Sequence, residues 1–429
     1  MKRMPKAPKP LVTLLGKAVR EATKLRGGGS AFPGLFVESI DKDFISSCLS
    51  PLPYGVVLVS GTNGKTTTTK MVVELLEGQG LKVFTNRTGS NFTRGVAAAL
   101  LGSIDMKGNL SADIAVLELD EAHAVKFVAA VQPRYSLLLN VMRDQLDRFG
   151  EIDTTARLLR TVAEHTSDIV VVNREDPRLL LLGESLPENT VRYFGLDKSL
   201  RSRFPSDDEM RGNSESITKL PKAVSVLEEL DGHKAVISLG NKKLTLELKL
   251  EGIYNVLNAV AAISMVSSIL GDKTDKDKLV STLESITPAF GRGEKLLVDG
   301  QPLELVLVKN PGGFRLGLES FDPTGYATMI AINDNYADGR DMSWLWDVQF
   351  ESLKPGGVSH VTGVRAYDMA LRLQYDEVEV SAVETDIPKA LRSFIKTNNS
   401  VPKRIYCSYT SMLALRRELS KITEVEVVS

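Results

Sequence analysis

Cysteine is nearly absent from this chain: 429 residues contain two, Cys48 and Cys407, far apart in sequence. A disulfide framework and any four-cysteine metal site are thereby excluded, and a reducing cytoplasm is the expected compartment. Histidine is almost as scarce, and His123, His165, His233 and His360 match no metal-ligand spacing. No Ser-His-Asp or Cys-His constellation is present. Charge of one sign is lacking too, since 53 Lys and Arg against 54 Asp and Glu leave a net charge of -1. The whole-chain field therefore does not argue for a nucleic-acid partner, and a bound nucleotide would need a local site. Apolar runs are short. The stretch Leu11 to Leu15 is broken by Gly16 and Lys17, too brief for a signal-peptide core or a span, and we read no run of about 18 apolar residues elsewhere. The expectation is a soluble, cytoplasmic protein that is not integral to a membrane.

What is present is an ordinary globular composition, 43% hydrophobic and 25% charged, in a chain long enough for two or three domains. In residues 11–25 the residues Leu11, Leu14, Leu15, Ala18, Val19, Ala22 and Leu25 recur at helical spacing. Packing on the next domain is expected for this helix, with attachment to a membrane surface as the alternative. Gly27 to Gly29 end it, and a turn-rich stretch follows through Pro33, Pro51 and Pro53. From Val56 short β-branched runs alternate with helical patterns, at 56–59, 81–84, 114–119, 135–141 and 169–172. That alternation predicts a mostly parallel sheet covered on both faces. Residues 197–222 read as an exposed loop, and 223–250 as a small antiparallel meander with turns at Asp231-Gly232 and Gly240-Asn241. A helix runs from Asn255 to Leu270. Beyond a boundary near residues 288–293, further strands (303–308, 327–332, 404–407) and helices (387–395, 411–419) predict a smaller Rossmann-like α/β domain. The expected division is an N-terminal helix and connecting segment (1–54), a central ATP-binding domain (55–290) and a C-terminal α/β domain (291–429).

The strongest chemical signal is Gly61-Thr62-Asn63-Gly64-Lys65-Thr66-Thr67, between a strand and a helix N-terminus. Backbone N–H groups of such a loop, backed by the positive end of the helix, cradle phosphate oxygens. Lys65 would hold the β- and γ-phosphates and the Thr66 hydroxyl would ligate Mg²⁺. The first glycine stands three residues before the second rather than five, and a bland Gly-rich turn is the competing explanation.

This GTNGKTT loop resembles that of the ATP-dependent Mur ligases. The stretches 88–95 (TGSNFTRG), 117–122 (LELDEA), 140–153 (NVMRDQLDRFGEID), 252–258 (GIYNVLN), 291–294 (GRGE), 309–313 (KNPGG), 334–346 (DNYADGRDMSWLW) and 408–413 (SYTSML) are similar to the MurT-type subunits within that family. The likeness covers nearly the whole chain, and its order with the Trp-containing motif makes it specific. It implies a Mur-ligase-like central P-loop ATPase domain and a C-terminal domain of MurT type. The implied activity is ATP-dependent amidation of the D-glutamate α-carboxyl in the lipid II stem peptide to D-isoglutamine, through an acyl phosphate. Ammonia would come from a separate GatD-type glutamine amidotransferase subunit, since no glutaminase constellation is visible here.

The resemblance further implies that Glu118, at a strand end, is a Mg²⁺ ligand, a role suited to a hard carboxylate oxygen. It implies that Asn255 and Asn258 face the adenine, that Arg292 reaches nucleotide phosphate, and that Asp347 or Asp341 completes a Cys-His pair on the partner. Helix capping, a surface arginine and a solvated acidic loop are the respective alternatives. Asp144 and Asp147 would bind a second metal or the acceptor, or cap a helix; Gln145 stands where these ligases commonly have His. Three departures alter the expectation. The loop at 197–222 has no cysteine where some relatives insert a zinc ribbon, so no zinc is expected. Only residues up to Ser60 precede the phosphate loop, where Mur ligases usually begin with a domain for a UDP-linked substrate; this fits a lipid-linked one. Val306 stands in place of an Asp that often holds the ribose. Another Mur-type or folylpolyglutamate-synthase-like amide ligase, and a nucleotide-binding assembly subunit without chemistry, are the alternatives carried forward.

Overall fold

The structure, a computed structural model, describes residues 9–25, 32–86, 92–143, 152–209, 220–232, 234–250, 252–287 and 292–425. They form two compact units. The first comprises most of residues 1–286 and holds a nine-stranded sheet. Its strands are β1 (Val56–Ser60), β2 (Val83–Thr85), β3 (Ile114–Glu118), β4 (Tyr135–Leu138), β5 (Ile169–Asn173), β6 (Val191–Leu196), β7 (Ser225–Asp231), β8 (Lys234–Leu239) and β9 (Lys242–Glu247). The order is β2-β3-β1-β4-β5-β6-β7-β8-β9. Strands β1 to β7 pair in parallel and β7 to β9 are antiparallel, so the expected meander is the edge of the main sheet.

Continuous apolar runs explain the burial. All five residues of β1 are buried, and β3 and β4 are buried almost throughout, as strands covered on both faces must be. After β1 the chain builds β2 and β3 on one side of it and then crosses to β4 on the other, which makes the carboxyl end of β1 a topological switch point. Open α/β sheets bind ligands at such a crevice.

Several expectations are corrected. The stretch read as turns after Gly29 contains helices Phe32–Ile40 and Phe44–Leu49; Pro33 lies in the first turn of the former, where its missing N–H costs nothing. Cys48 therefore lies on a helix, buried, rather than in a loop. The segment from 197 is not wholly exposed: Lys198–Arg203 is a 3₁₀ turn capped by Asp197, and Phe204 behind it is buried against Tyr254. Residues 253–273 are also long and apolar enough to cross a membrane by length and composition, which the sequence reading overlooked. In the fold, Val256 and every residue from Ala259 to Val266 are buried, as in a helix laid against a sheet.

The second unit, chiefly residues 287–429, has a six-stranded sheet. Its strands are β10 (Arg292–Val298), β11 (Gln301–Leu307), β12 (Ala327–Ala331), β13 (Val358–Thr362), β14 (Val380–Glu384) and β15 (Lys403–Cys407), in the order β10-β11-β15-β12-β13-β14. Only β10 is antiparallel to its neighbour. One face carries Phe314, Trp344, Phe350 and Tyr406, the other Leu305, Phe394, Ile405 and Leu415. A buried ion pair crosses neighbouring strands: Arg404 Nε and Nη2 both stand 2.9 Å from the single oxygen Glu304 Oε2, and the guanidinium lies 4.0 Å from the Tyr326 ring centre. Cys407 ends β15 and is buried, as expected from its apolar run.

Candidate nucleotide site

The phosphate loop leaves β1 at its carboxyl end and enters helix Lys65–Gly78. Two glycines make the turn possible. Gly61 has φ +127° and Gly64 has φ +85°, and a Cβ on Gly61 would meet the backbone of Asn140 at 3.0 Å. The loop is tied to the end of β4 by three hydrogen bonds. The Thr62 N–H donates to the Asn140 carbonyl (3.0 Å), the Asn63 N–H to Asn140 Oδ1 (2.8 Å), and Asn140 Nδ2 returns to the Asn63 carbonyl (3.1 Å).

Lys65 is buried and folded back onto its own loop. Its Nζ donates to the carbonyls of Gly61 (2.5 Å) and Thr62 (3.2 Å), and Glu121 Oε2 lies 3.7 Å away. Glu121 is 3% exposed and opens helix Glu121–Ala130. Thr66 donates from Oγ1 to Glu118 Oε1 at 3.0 Å. Glu118 in turn is held through its backbone: its N–H donates to Asn86 Oδ1 (3.0 Å) and its carbonyl accepts from Asn86 Nδ2 (2.9 Å). Thr67 is buried behind the loop. Thus residues from the ends of β1, β2, β3 and β4 converge on one crevice.

Lys65, Thr66 and Glu118 are together, and so is Asn258, whose Oδ1 would lie 2.6 Å from a Cβ on Gly64. Asn258 Nδ2 also donates to Asn255 Oδ1 at 3.3 Å, so the two asparagines form a pair at the start of helix Ile253–Leu270 that packs on the phosphate loop. Arg292 opens β10, with its backbone in register with Val306; its side chain, and Asp144, Gln145, Asp147 and His233, lie outside the described residues. Val306 is buried in the core of the second unit. Three residues that brace this crevice were not read from the sequence: Glu121, Asn86 and Asn140. Glu121 was within reach, because an acid at a helix start three residues past a strand-end acid is a signal; Asn86 and Asn140 became visible only once the strand order was known.

The site fits a magnesium nucleotide. Paired backbone turns, a buried ammonium and two hard oxygen donors 3.0 Å apart are the donor set such a ligand takes. Among the described residues there is no group of three or more His, Cys, Asp or Glu that could hold a metal by themselves. The remaining histidines have structural settings. His123 stacks edge-on with Phe92 (4.3 Å), His165 Nδ1 lies 2.8 Å from the Thr161 carbonyl, and His360 is buried beside Ser393, where burial lowers its pKa.

In the second unit the segment 334–347 leaves β12 at its carboxyl end. Asp338 is buried and accepts from the Thr410 N–H (2.8 Å), the Thr410 hydroxyl (2.5 Å) and the Asn335 N–H (3.2 Å), which makes it the clasp of this loop. Asp341 accepts from the Ser343 N–H at 2.9 Å and initiates a 3₁₀ turn, Ser343–Asp347. The Asp347 carbonyl accepts from the Arg315 guanidinium. The two tryptophans divide: Trp344 is core, packed near Phe314, whereas Trp346 is 49% exposed and lies against Tyr375 and Arg372.

Comparison with known proteins agrees with this geometry. Residues 59–266 match the Mur ligase middle domain and residues 307–412 match the MurT ligase C-terminal domain. The chain is 28% identical to the MurT subunit of the glutamine-hydrolysing lipid II isoglutaminyl synthase of Streptococcus pneumoniae, over 95% of this chain and 96% of that one. It is 27% identical to the same subunit from Staphylococcus aureus, over 96% and 97% respectively. Its fold superposes on MurF ligase from Thermotoga maritima, determined in complex with ADP, with a TM-score of 0.66 at 19% identity, covering 89% of this chain and 84% of that one. With a Mur ligase middle domain built around a glycine phosphate loop and a C-terminal domain of MurT type, the chain belongs to the Mur ligase family, in its MurT branch.

Proposed function

We propose that this chain is the ATP-dependent amidating subunit of a lipid II isoglutaminyl synthase. The observation that carries the reading is the triangle of Lys65, Thr66 and Glu118 at the carboxyl end of β1, in a chain whose C-terminal domain is of MurT type. A carboxylate resists attack by ammonia, because its carbonyl carbon is electron-rich and its leaving group would be oxide. Phosphoryl transfer removes both obstacles. The D-glutamate α-carboxylate takes the γ-phosphoryl group of ATP, giving an acyl phosphate and ADP; ammonia adds to the carbonyl carbon, and inorganic phosphate and a proton leave as the amide forms. Such catalysis is mainly positioning and charge neutralisation.

In this reading Lys65 exchanges the Gly61 and Thr62 carbonyls for phosphate oxygens, and the loop Gly61 to Thr67 cradles the β-phosphate through the N–H groups from Gly64 onward, those of Thr62 and Asn63 being donated to Asn140. Thr66 and Glu118 would hold Mg²⁺, which when bound offsets phosphate charge. Asn255 and Asn258 would flank the base, and Arg292 would reach the phosphates. Ammonia comes from a GatD-type glutaminase whose histidine is oriented by Asp341 or Asp347. The test is to incubate the chain with ATP, Mg²⁺, lipid II and ¹⁵N-ammonium, with and without a glutaminase subunit, and to read the stem peptide by mass spectrometry. The expected product carries one ¹⁵N amide. A product bearing an added amino acid would instead assign another Mur-type ligase, and ATP binding without any product would leave a nucleotide-binding assembly subunit.

A further inference from the structure

Asp176 is one residue removed from the anchor of the phosphate loop, and each of its two oxygens has a different task. It lies just past β5 and opens helix Pro177–Glu184 as the N-cap. Oδ1 accepts from the Arg178 and Leu179 N–H groups, both at 3.0 Å, which is an ordinary cap. Oδ2 reaches toward β4 and accepts from the Val141 N–H at 2.6 Å. Val141 follows Asn140, whose side chain and carbonyl make the three hydrogen bonds that tie Thr62 and Asn63 to the end of β4. The peptide unit between Asn140 and Val141 is thus gripped at both ends, its N–H by Asp176 and its carbonyl by the Thr62 N–H. A charge at one end of such a chain polarises the peptide and strengthens the bond at the other.

A cap alone would not call for this residue. Serine and asparagine cap a helix as well as aspartate does. Aspartate is the costly choice here, because it is 6% exposed and burial pushes its carboxyl up to about 6. What the cheaper caps lack is a second acceptor. Serine has one oxygen, and the other polar group of asparagine is a donor that would face the Val141 N–H. We infer that Asp176 is a positioning residue for nucleotide binding, acting through the Asn140 peptide to hold the phosphate loop in the turn that receives phosphate. Both its oxygens are spent on protein N–H groups, so it acts at one remove from the ligand. The inference rests on the reading of Gly61 to Thr67 as the phosphate loop of a nucleotide site.

The test is calorimetric binding of magnesium ADP to the full chain at pH 8, where the carboxylate is ionised, and at a temperature at which every variant is folded. Asp176→Ser keeps the cap and discards the second oxygen, and its Kd for ADP should rise roughly tenfold. Leu182→Ala, which opens a cavity under the same helix, should lower the melting temperature without moving that Kd. In a chain that already carries Asn140→Ala, Asp176→Ser should cost about threefold or less, because the two residues act in series. If Asp176→Ser does not fold, Asp176→Asn, which keeps the volume and the cap, takes its place with the same expectation. Unchanged affinity in the substituted chain overturns the inference, as does an equal loss in Leu182→Ala. A loss undiminished by Asn140→Ala also overturns it, since the effect would then bypass the Asn140 peptide. A wild-type chain that does not bind ADP removes the nucleotide reading itself, and this inference with it.

Discussion

Replacing Lys65 by Met should damage two properties that a second substitution can separate. Met keeps most of the aliphatic volume of the stem and removes the ammonium. The ammonium is the charge partner of Glu121, 3.7 Å away and 3% exposed, so the variant retains a buried carboxylate whose counter-ion is gone. Breaking a buried pair from one side costs about 3 to 5 kcal/mol. For a unit of this size each kcal/mol lowers the melting temperature by roughly 2–4 °C, so a fall of about 6–20 °C is expected without nucleotide. Turnover should fall by at least about a hundredfold, because a charge aimed at the transferring phosphoryl group is missing. Adding Glu121→Gln to the same chain removes the stranded charge. Calorimetry of wild type, both single variants and the double variant forms a cycle: stability should recover substantially in the double variant while turnover stays lost. A Lys65→Met protein that melts like wild type, or a double variant no more stable than Lys65→Met, would refute the coupling of these residues.

Asp341→Asn and Asp347→Asn, made singly in the complex with a glutaminase, should separate the donor roles: the one that orients the partner lowers glutamine-driven amidation and spares the ammonium-driven reaction. If both variants lose both activities equally, the 3₁₀ turn they bracket serves only the fold. Asp176 is fully buried, and burial raises its carboxyl to about 6 from 3.8 despite bonds from the Val141, Leu179 and Arg178 N–H groups. The folded state thus binds this proton more tightly, so its contribution to stability falls as pH rises from about 4 to 6 and is level above. Chemical unfolding at pH 4 and pH 7 should show wild type losing roughly 3 kcal/mol relative to Asp176→Asn over that interval; an equal pH response in both would be the contrary result. Zinc should be absent at stoichiometric level from the purified protein, and elemental analysis finding one tightly held ion per chain would contradict the reading of residues 197–222.

Where the chain advertised its fold, one pattern carried the information. Val56–Ser60, a glycine turn and the helical spacing after Lys65 are local signals, and strand, loop and helix follow within two residues of the expected places. Strands β6, β10, β13 and β14 were not read from the sequence, β10 because it opens in the stretch taken as the domain boundary. β6 carries Arg192 and Tyr193 within its run, β13 contains His360, and β14 is a half-buried edge with an exposed serine, so none shows a clean apolar period. The helix from Phe32 was hidden by Pro33 and Gly34, residues that signal turns except in a helix's first turn or where another backbone comes close. The first helix was found correctly, but the side it buries is Val12, Thr13 and Gly16, while Leu11, Leu14, Leu15 and Leu25 stay exposed; periodicity measures only that an apolar face exists and is silent on which face the protein covers. At the site, Lys65 and Thr66 were named by their loop, whereas Asn86 and Asn140 act across strand ends separated by 32 and 77 residues from their partners.

The pairing of Asn86 with Glu118 has a consequence for how readily an ion could be accommodated there. A side-chain amide that gives one hydrogen bond to a residue's carbonyl and takes another from its N–H imitates a neighbouring strand, so β2 is in effect one rung longer than its backbone. Glu118 consequently stands on an immobilised Cα, with rotation left only about its own side-chain bonds. Mg²⁺ tolerates little departure from octahedral coordination and gives up its water reluctantly. A carboxylate whose main chain has already surrendered its freedom during folding has less disorder left to lose when the ion arrives. Asparagine at position 86 would therefore set how rigid Glu118 is in its proposed role as a magnesium ligand, although none of its own atoms need touch the metal.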